Sequence, residues 1–407
     1  MISIPTLVTL LSTLATFTLA HSSPSRLNSR SDETHSSLVE RAATCPPPVM
    51  AQYWPSWTGT QPPAQLDWKR ADVAYYFASP TTSNGLTLPV GASFDGLKTF
   101  VAAAKQAGKR PGLTIGGWEG SRYFSNLVAT VANRTKFANT VKSWVDQYGF
   151  TSVSFDWEFI GKQGAGNNVV RAADAANLIK FFATLRTTLG SGVTIAADVP
   201  AGGITGADGK IMTDVKKFVA NLDYVNLMTY DFYGPWSSTT GAHSALYTCN
   251  AGSYSSDQSV RDWISWGLPA CKIVMGVPGY SHRFKTSNNK LATTTFNGKK
   301  SISFQPLASP KMEDSTPTTK ELNSNGLLSA DLSKGSSGYT RSYDTCTQTP
   351  VLFNPASKIF VTYEDAMSFK AKGAYAKQMG LAGVAIYDST GPTSSMFDAL
   401  AAGLGHA

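Results

Sequence analysis

Thr151-Ser-Val-Ser-Phe-Asp-Trp-Glu158 is the stretch of this 407-residue sequence that decides the fold. Successive side chains of a β-strand point to opposite faces of the sheet, so this stretch has two distinct faces. The polar face carries Ser152, Ser154, Asp156 and Glu158, and the apolar face carries Val153, Phe155 and Trp157. An apolar face can pack beneath helices, so the pattern predicts a buried strand that directs two carboxylates the other way at its carboxyl end.

Eight such strands run along the chain, and helix-like stretches lie between most of them. The predicted strands are Val49–Tyr53, Val73–Ala78, Gly112–Gly117, Ser152–Glu158, Val193–Asp198, Tyr224–Asp231, Lys272–Val277 and Gly383–Tyr387. The predicted helices are Gly96–Ala107, Phe137–Gln147, Ala172–Leu189, Val215–Ala220 and Tyr363–Met379. This alternation favours the α/β class and a closed parallel (β/α)8 barrel, the TIM barrel, over an open doubly wound sheet.

The regular spacing breaks once, because roughly a hundred residues separate the seventh strand from the eighth. Within that gap, residues 282–348 are rich in Lys, Thr, Ser, Asn and Gly. This composition predicts a small α+β insertion that stands beside the barrel mouth.

The N-terminal region predicts export. Residues 1–20 contain an apolar run that ends in small residues, which is typical of a secretory signal peptide, and a buried N-terminal helix is the alternative. Residues 21–41 are polar and predict a disordered leader or propeptide, so the barrel domain is expected at 42–407. No other stretch is long and apolar enough to span a membrane. We therefore expect a secreted, extracellular protein without a membrane or lipid anchor.

Charge and cysteine content fit that setting. The net charge is +8, but the Lys and Arg residues are scattered, which argues against a nucleic-acid partner. The four cysteines, Cys45, Cys249, Cys271 and Cys346, show no metal-type spacing and predict two disulfides whose pairing is open. The sequon Asn133-Arg134-Thr135 predicts a glycosylated surface position at Asn133.

Two acids at the end of the fourth strand form the first candidate site. In parallel barrels the chemistry takes place at the carboxyl ends of the strands, where Asp156 and Glu158 are expected. Neighbouring carboxylates resist ionising together, so such a pair is costly without a role. A structural ion-pair site is the alternative explanation.

Four motifs in register give this sequence a family resemblance. Phe155-Asp-Trp-Glu158 resembles the end of the Asp-x-x-Asp-x-Asp-x-Glu signature of glycosidase family 18 chitinases. Thr114-Ile-Gly-Gly-Trp118, Met228-Thr-Tyr-Asp231 and Gly276-Val-Pro-Gly-Tyr280 are similar to the family's third-, sixth- and seventh-strand motifs. The resemblance extends from Val49 to about Gly391 and implies a partner, chitin or its oligosaccharides.

The resemblance also implies residue roles. Glu158 would protonate the glycosidic oxygen while the substrate's own acetamido group attacks the sugar carbon, a substrate-assisted retaining route. Asp156 would orient that acetamido group, Tyr230 with Asp231 would hold its carbonyl, and Met228 would line the sugar pocket. No metal ion is expected, because His243 has no second ligand at metal-binding spacing. No cofactor is expected, and the sequence has no Gly-rich phosphate-binding loop after the first strand. A monomer is expected.

Aromatic residues at or just after strand ends predict a carbohydrate cleft, since they cover the apolar faces of sugar rings. The predicted substrate-binding aromatics are Tyr53, Trp118, Tyr233, Tyr280 and Tyr387, with Trp54, Trp57 and Trp236 as further stacking positions. Ordinary core or rim packing is the alternative for each one taken singly.

The family pattern is broken at several positions. Thr151 and Ser154 stand where the signature has its first two aspartates, and Ser154 cannot share a proton with Asp156. Tyr387 stands where the family usually has a Trp beneath the distorted sugar, and Ala74 where it usually has Asn. General acid–base steps typically contribute 10²–10⁴-fold in rate, so we expect hydrolysis to be impaired by about that order.

Two functions remain open from the sequence. The first is a secreted chitin-binding, chitinase-like protein with impaired hydrolysis that sequesters chitin fragments and so hides them from a host's chitin sensors, as an effector. The second is an active secreted endochitinase that cleaves β-1,4-linked N-acetylglucosamine polymers for wall remodelling or nutrition. Binding by stacking does not need the proton-transfer groups, so it can outlast turnover.

Overall fold

The computed structural model describes residues 48–308 and 316–406. The predicted signal peptide at 1–20, the leader at 21–41 and Cys45 lie outside these described residues.

Eight parallel strands close into a barrel, which confirms the predicted TIM-barrel fold. They are β1 (Val49–Pro55), β2 (Val73–Ser79), β5 (Arg110–Gly116), β6 (Ser152–Asp156), β7 (Thr194–Pro200), β8 (Tyr224–Met228), β9 (Ile273–Pro278) and β16 (Gly383–Tyr387). Each strand pairs with its neighbour in the order β1-β2-β5-β6-β7-β8-β9-β16, and β16 closes on β1. A short hairpin beside β2 contains β3 (Thr81–Thr82) and β4 (Gly85–Leu86), each two residues long.

Helices surround the barrel. They are α1 (Phe94–Gln106), α2 (Phe124–Val128), α3 (Val131–Tyr148), α4 (Asp174–Leu189), α5 (Lys216–Val219), α6 (Ser256–Ser265), α8 (Ala366–Gln378) and α9 (Ser394–Leu404). Short 3₁₀ turns occur at Pro63–Gln65 and Ala270–Lys272. The side chain of Thr130 accepts a hydrogen bond from the Asn133 amide at the start of α3, and Gly149 ends that helix with a φ of 77°.

An α+β insertion stands between β9 and β16, but it extends further than predicted. Its four-stranded antiparallel sheet contains β10 (His282–Lys285), β13 (Thr340–Asp344), β14 (Thr349–Asn354) and β15 (Ile359–Thr362). The insertion also holds the hairpin β11 (Thr293–Phe296) and β12 (Lys299–Ile302) and helix α7 (Thr319–Ser324). The predicted end at residue 348 was wrong, because the apolar strands β14 and β15 complete the insertion sheet instead of leading into the barrel.

The layer between β6 and its covering helices fixes the orientation of the fourth barrel strand. Phe155 packs against Phe137 and Phe181, with ring centroids 6.3 and 5.4 Å apart. Val153, Phe155 and Trp157 are all buried in this layer. Burying one such side chain contributes about 1.5–3 kcal/mol. A shift of the β6 register by one residue would turn these three apolar side chains toward the lumen. Their packing against the helices therefore keeps the polar face of β6 directed into the lumen.

One disulfide joins the barrel to the insertion. Cys249, in the segment after β8, is bonded to Cys346 between β13 and β14. Within the described residues Cys271 has no disulfide partner, and the second predicted disulfide stays a prediction because Cys45 is not described. Among the helices of the described ranges, none is long and apolar enough to cross a membrane.

Candidate active site

Asp156 and Glu158 lie together at the carboxyl end of β6. Asp156 is 3% exposed and Glu158 is half-buried. Burial raises the pKa of Glu158 to about 8, and the negative charges of Asp231 and Asp198 add to the rise. Burial and the charge of Glu158 likewise raise the pKa of Asp156 well above its usual range. A glutamic acid that keeps its proton at neutral pH can act as a general acid.

A third lumen carboxylate, Asp198, was missed by the sequence interpretation. It lies on β7 directly beside Asp156 in the strand register. Ser154 Oγ donates a hydrogen bond to Asp198 Oδ2 at 3.0 Å, so the serine that replaces a family aspartate contacts an acid from the next strand. The signal was present, because Asp198 ends a predicted strand. Strand parity alone did not identify its neighbours.

Two further side chains bind the same carboxylate. The Tyr53 hydroxyl donates to Asp198 Oδ1 at 2.6 Å, and Asn226 Nδ2 donates to that oxygen at 3.1 Å. Tyr53 is only 3% exposed and its ring stacks on Tyr75. It therefore has no open ring face for a sugar, which corrects its predicted stacking role, and its hydroxyl contacts Asp198 inside the lumen.

Tyrosines line the mouth above the acids. The Tyr387 ring is stacked with that of Tyr230 at a centroid distance of 6.1 Å and lies edge-on to Tyr280 at 6.2 Å. All three are half-buried. Tyr387 also contacts Phe77 of β2 at 5.0 Å, so residues from β2, β16 and the segments after β8 and β9 meet over the lumen.

Tryptophans extend this aromatic surface outward. Trp57, Trp118 and Trp236 are 41%, 52% and 62% exposed, so each has a free indole surface. Tyr233 is half-buried and lies against Phe304 of the insertion at 5.1 Å. Trp54 was wrongly grouped with them: it is 6% exposed and stacks on Phe100 in the layer between barrel and helices.

Asp231 forms a second polar cluster at the mouth. Tyr280 Oη donates to Asp231 Oδ1 at 2.6 Å, and His282 Nε2 lies 2.8 Å from the same oxygen. Burial would raise the pKa of Asp231, but the imidazoles of His243 and His282 lower it below its usual range. His243 is fully buried, and burial lowers its pKa to about 4, so its ring is neutral at pH 7.

Asp231, His243 and His282 place one donor atom each within 4.8 Å of one another. Such donors suit a transition metal, and sequence spacing did not reveal them because they come from three separate segments. His243 Nδ1 lies 3.9 Å from Asp231 Oδ1, and Asp231 is already satisfied by Tyr280 and His282. The expectation of no metal ion stays a prediction.

The remaining predicted positions lie at defined places. Thr151 is exposed and its hydroxyl donates to the Pro111 carbonyl at the start of β6, away from the acids. Met228 is half-buried at the end of β8. Asn133 is exposed in the first turn of α3, where its side-chain amide donates to the Asn126 carbonyl.

Comparisons with known proteins agree with this architecture. The family model for glycosyl hydrolases family 18 matches residues 49–391. A "chitinase-like effector" of Moniliophthora roreri is 33% identical over 84% of this chain and 89% of its own length. A protein of the same description from Moniliophthora perniciosa is 32% identical over 87% and 86%. A chitinase crystal structure from Rhizomucor miehei superposes with a TM-score of 0.77 over 88% of this chain and all of that one, and at 24% identity it supports the fold alone. The chain therefore belongs to glycosyl hydrolase family 18.

Proposed function

We propose that this protein is an exported chitinase-like protein that binds chitin and its oligosaccharides, hydrolyses them slowly and sequesters the fragments. The observation that carries the binding is the tyrosine-lined mouth, where Tyr230, Tyr280 and Tyr387 surround the lumen that holds Glu158. Aromatic faces of this kind cover the apolar faces of sugar rings. The exposed tryptophans around the mouth lengthen the surface for an oligosaccharide.

Slow hydrolysis rests on what remains of the acid groups. Glu158 keeps a proton near neutral pH and would pass it to the glycosidic oxygen as the bond to the sugar carbon breaks. The substrate's acetamido oxygen would form the new bond to that carbon, and Asp156 would hold the acetamido nitrogen. Ser154 places no charge of its own beneath Asp156, and Tyr387 offers a smaller face than a tryptophan, so we expect turnover below that of an ordinary chitinase.

Sequestration is favoured over digestion by the relatives. Two proteins that match over more than four-fifths of this chain are described as chitinase-like effectors. A binding protein of this kind, once exported, would remove chitin fragments from solution before a host receptor meets them. Aromatic side chains that stack on the sugar rings of the bound oligosaccharide supply such binding, and this stacking does not require the catalytic groups.

An active endochitinase is the second candidate. It is favoured by the retention of both Asp156 and Glu158 and by the raised pKa of Glu158. An endochitinase would use the same binding surface as the chitin-sequestering protein, and the two candidate functions differ only in the rate of turnover.

One paired assay separates them. The mature protein is incubated with a fluorogenic chitin oligosaccharide and, in parallel, with insoluble chitin beads. Retention on the beads with turnover well below about 1 per second supports the proposal, since typical enzymes turn over at 1 to 10³ per second. Turnover within that range supports the endochitinase. Failure to bind chitin rejects both.

A further inference from the structure

We propose that Asp198 is a positioning residue: its carboxylate reaches in from β7 and takes the place beside Asp156 that Ser154 leaves without charge. It would then decide when Asp156 carries a proton. This inference deepens the proposed function, because it concerns the same acid site and the turnover that remains there.

The strand register brings the two acids together. Asp156 and Asp198 are partners on the neighbouring parallel strands β6 and β7, whose backbones lie about 4.8 Å apart. Both side chains are 3% exposed and both face the lumen. Ser154, two residues before Asp156 on the same face, donates its hydroxyl to Asp198 at 3.0 Å. The serine therefore ties the relocated carboxylate to β6.

Hydrogen bonds decide which of the two acids holds the negative charge. Asp198 accepts from Tyr53, Asn226 and Ser154. In contrast, Asp156 Oδ1 is buried without a hydrogen-bond partner in the described part of the chain. Donors stabilise the ionised form of a carboxyl group and burial disfavours it. Asp198 is therefore the better place for the charge, and the proton belongs on Asp156.

Burial raises the pKa of Asp156, and the charges of Glu158 and Asp198 add to the rise by like-charge repulsion. Burial raises the pKa of Asp198 as well, but its three hydrogen-bond donors oppose that rise. Other groups facing Asp156 are Glu158 on the same segment, Tyr230 after β8 and Tyr387 on β16. The tyrosines are neutral at working pH because burial raises the pKa of each hydroxyl well above its usual value. The carboxylates of Glu158 and Asp198 are thus the neighbours that tune Asp156.

The role needs no proton transfer through Asp198. As Glu158 gives its proton to the glycosidic oxygen, the proton of Asp156 passes to the emptied Glu158 carboxylate. Asp156 is then the anion beside the positive charge that develops on the sugar carbon and acetamido group, and the negative charge of Asp198 adds to that attraction. Asp198 gains and loses nothing in the cycle. From the fifth barrel strand it supplies the negative charge of a second aspartate on the fourth strand but not the shared proton, so turnover stays below that of an ordinary chitinase.

The first test measures Asp156 itself, in the full-length ligand-free protein. Carboxyl carbons of aspartate are labelled with ¹³C, the Asp156 signal is assigned with D156N, and its titration midpoint is read by NMR. We expect D198N to lower that midpoint by about one pH unit or more, which is tenfold in the proton equilibrium. The matched control D223N removes a carboxylate at the opposite end of the barrel and should leave it unchanged. An unchanged midpoint in D198N would overturn the inference.

An exchange of the acid between strands provides the rescue. S154D/D198A returns the carboxyl group to β6 and should restore both the Asp156 midpoint and the turnover that D198A loses. S154D alone adds a third acid beside Asp156 and should give no gain. A gain from S154D alone, with none from the exchange, contradicts the proposal.

Binding to chitin beads, measured on the same variants, keeps this inference separate from the proposed function. Wild-type protein that fails to bind chitin rejects the proposed function, while the NMR titration still decides the role of Asp198. Circular dichroism melting of D198N and D198A identifies a variant that has lost its fold, in which case S154A, which removes one hydrogen bond to Asp198, is titrated instead and should shift the Asp156 midpoint by a smaller amount.

Discussion

The barrel mouth contains two acid clusters whose pKa values shift in opposite directions. At the end of β6, Asp156 and Glu158 have other carboxylates as their charged neighbours, and burial together with those charges raises the pKa of each. After β8, Asp231 has two histidines as neighbours, which lower its pKa despite burial. The direction in which the pKa of each carboxyl group shifts therefore depends on whether its neighbours are carboxylates or imidazoles.

Under the proposed function, this contrast gives the two clusters different roles. The β6 cluster keeps protons available near neutral pH, which a general acid needs. The Asp231 cluster stays ionised, orients Tyr280 through a hydrogen bond of 2.6 Å and supplies negative charge to Glu158. Each cluster can be altered alone, so the comparison can be tested.

Glu158 gives the largest expected effect. E158Q removes the proton donor but keeps the shape of the side chain, so turnover of a fluorogenic chitin oligosaccharide should fall by about 10²–10⁴-fold. Binding of a chitin tetramer by calorimetry should stay within about twofold, because stacking does not need the acid. E119Q, at the exposed glutamate after β5, is the matched control. Equal turnover in E158Q and wild type would remove Glu158 from the chemistry.

Strand parity explains how much of this site the sequence predicted. The alternation in β6 was enough to place Asp156 and Glu158 on the lumen face. If the strand were turned over, its apolar side chains would lose their packing against the helices. The fold followed from eight strands of this kind. The same rule, applied to β1, would have shown that Tyr53 and Trp54 face opposite ways, and the structure has Tyr53 inside and Trp54 outside.

Register between strands could not be predicted in this way. Parity says which face a residue occupies but not which residue of the next strand lies beside it. Asp198 meets Ser154 across 44 residues of sequence, and His282 meets Asp231 across 51. Both contacts depend on the order and stagger of strands in the closed barrel. The predicted end of the insertion was wrong for a similar reason. The sequence of an apolar strand does not show whether the strand joins the barrel or the sheet of the insertion.

Removing the charge of Asp231 should shift the pH dependence of turnover, and we expect this effect to be smaller than the loss of turnover in E158Q. Glu158 must be protonated to act, so turnover is present below its pKa and lost as the pH rises through about 8. D231N removes a negative neighbour, which lowers the pKa of Glu158 and shifts this basic limb to lower pH. The limb is read from the pH–rate profile and from ¹³C titration of the Glu158 carboxyl. A limb that stays in place would mean that the two clusters are not coupled.

His243 gives the smallest expected effect, and it concerns stability. Its pKa is about 4 in the folded chain because burial disfavours the charged ring, whereas an unfolded histidine titrates near 6.5. The unfolded chain therefore binds more protons between those values, and the folded state loses stability as the pH falls through that window.

H243Q removes the titrating group, so its melting temperature should depend less on pH between about 4 and 6.5 than that of wild type, by on the order of a few degrees. Scanning calorimetry at pH 4.5 and 7 measures the difference. H406Q, at a partly exposed histidine paired with Asp72 near the C-terminus, is the control. If the melting temperatures of wild type and H243Q fall by the same amount on acidification, the pKa of His243 is not lowered in the folded chain.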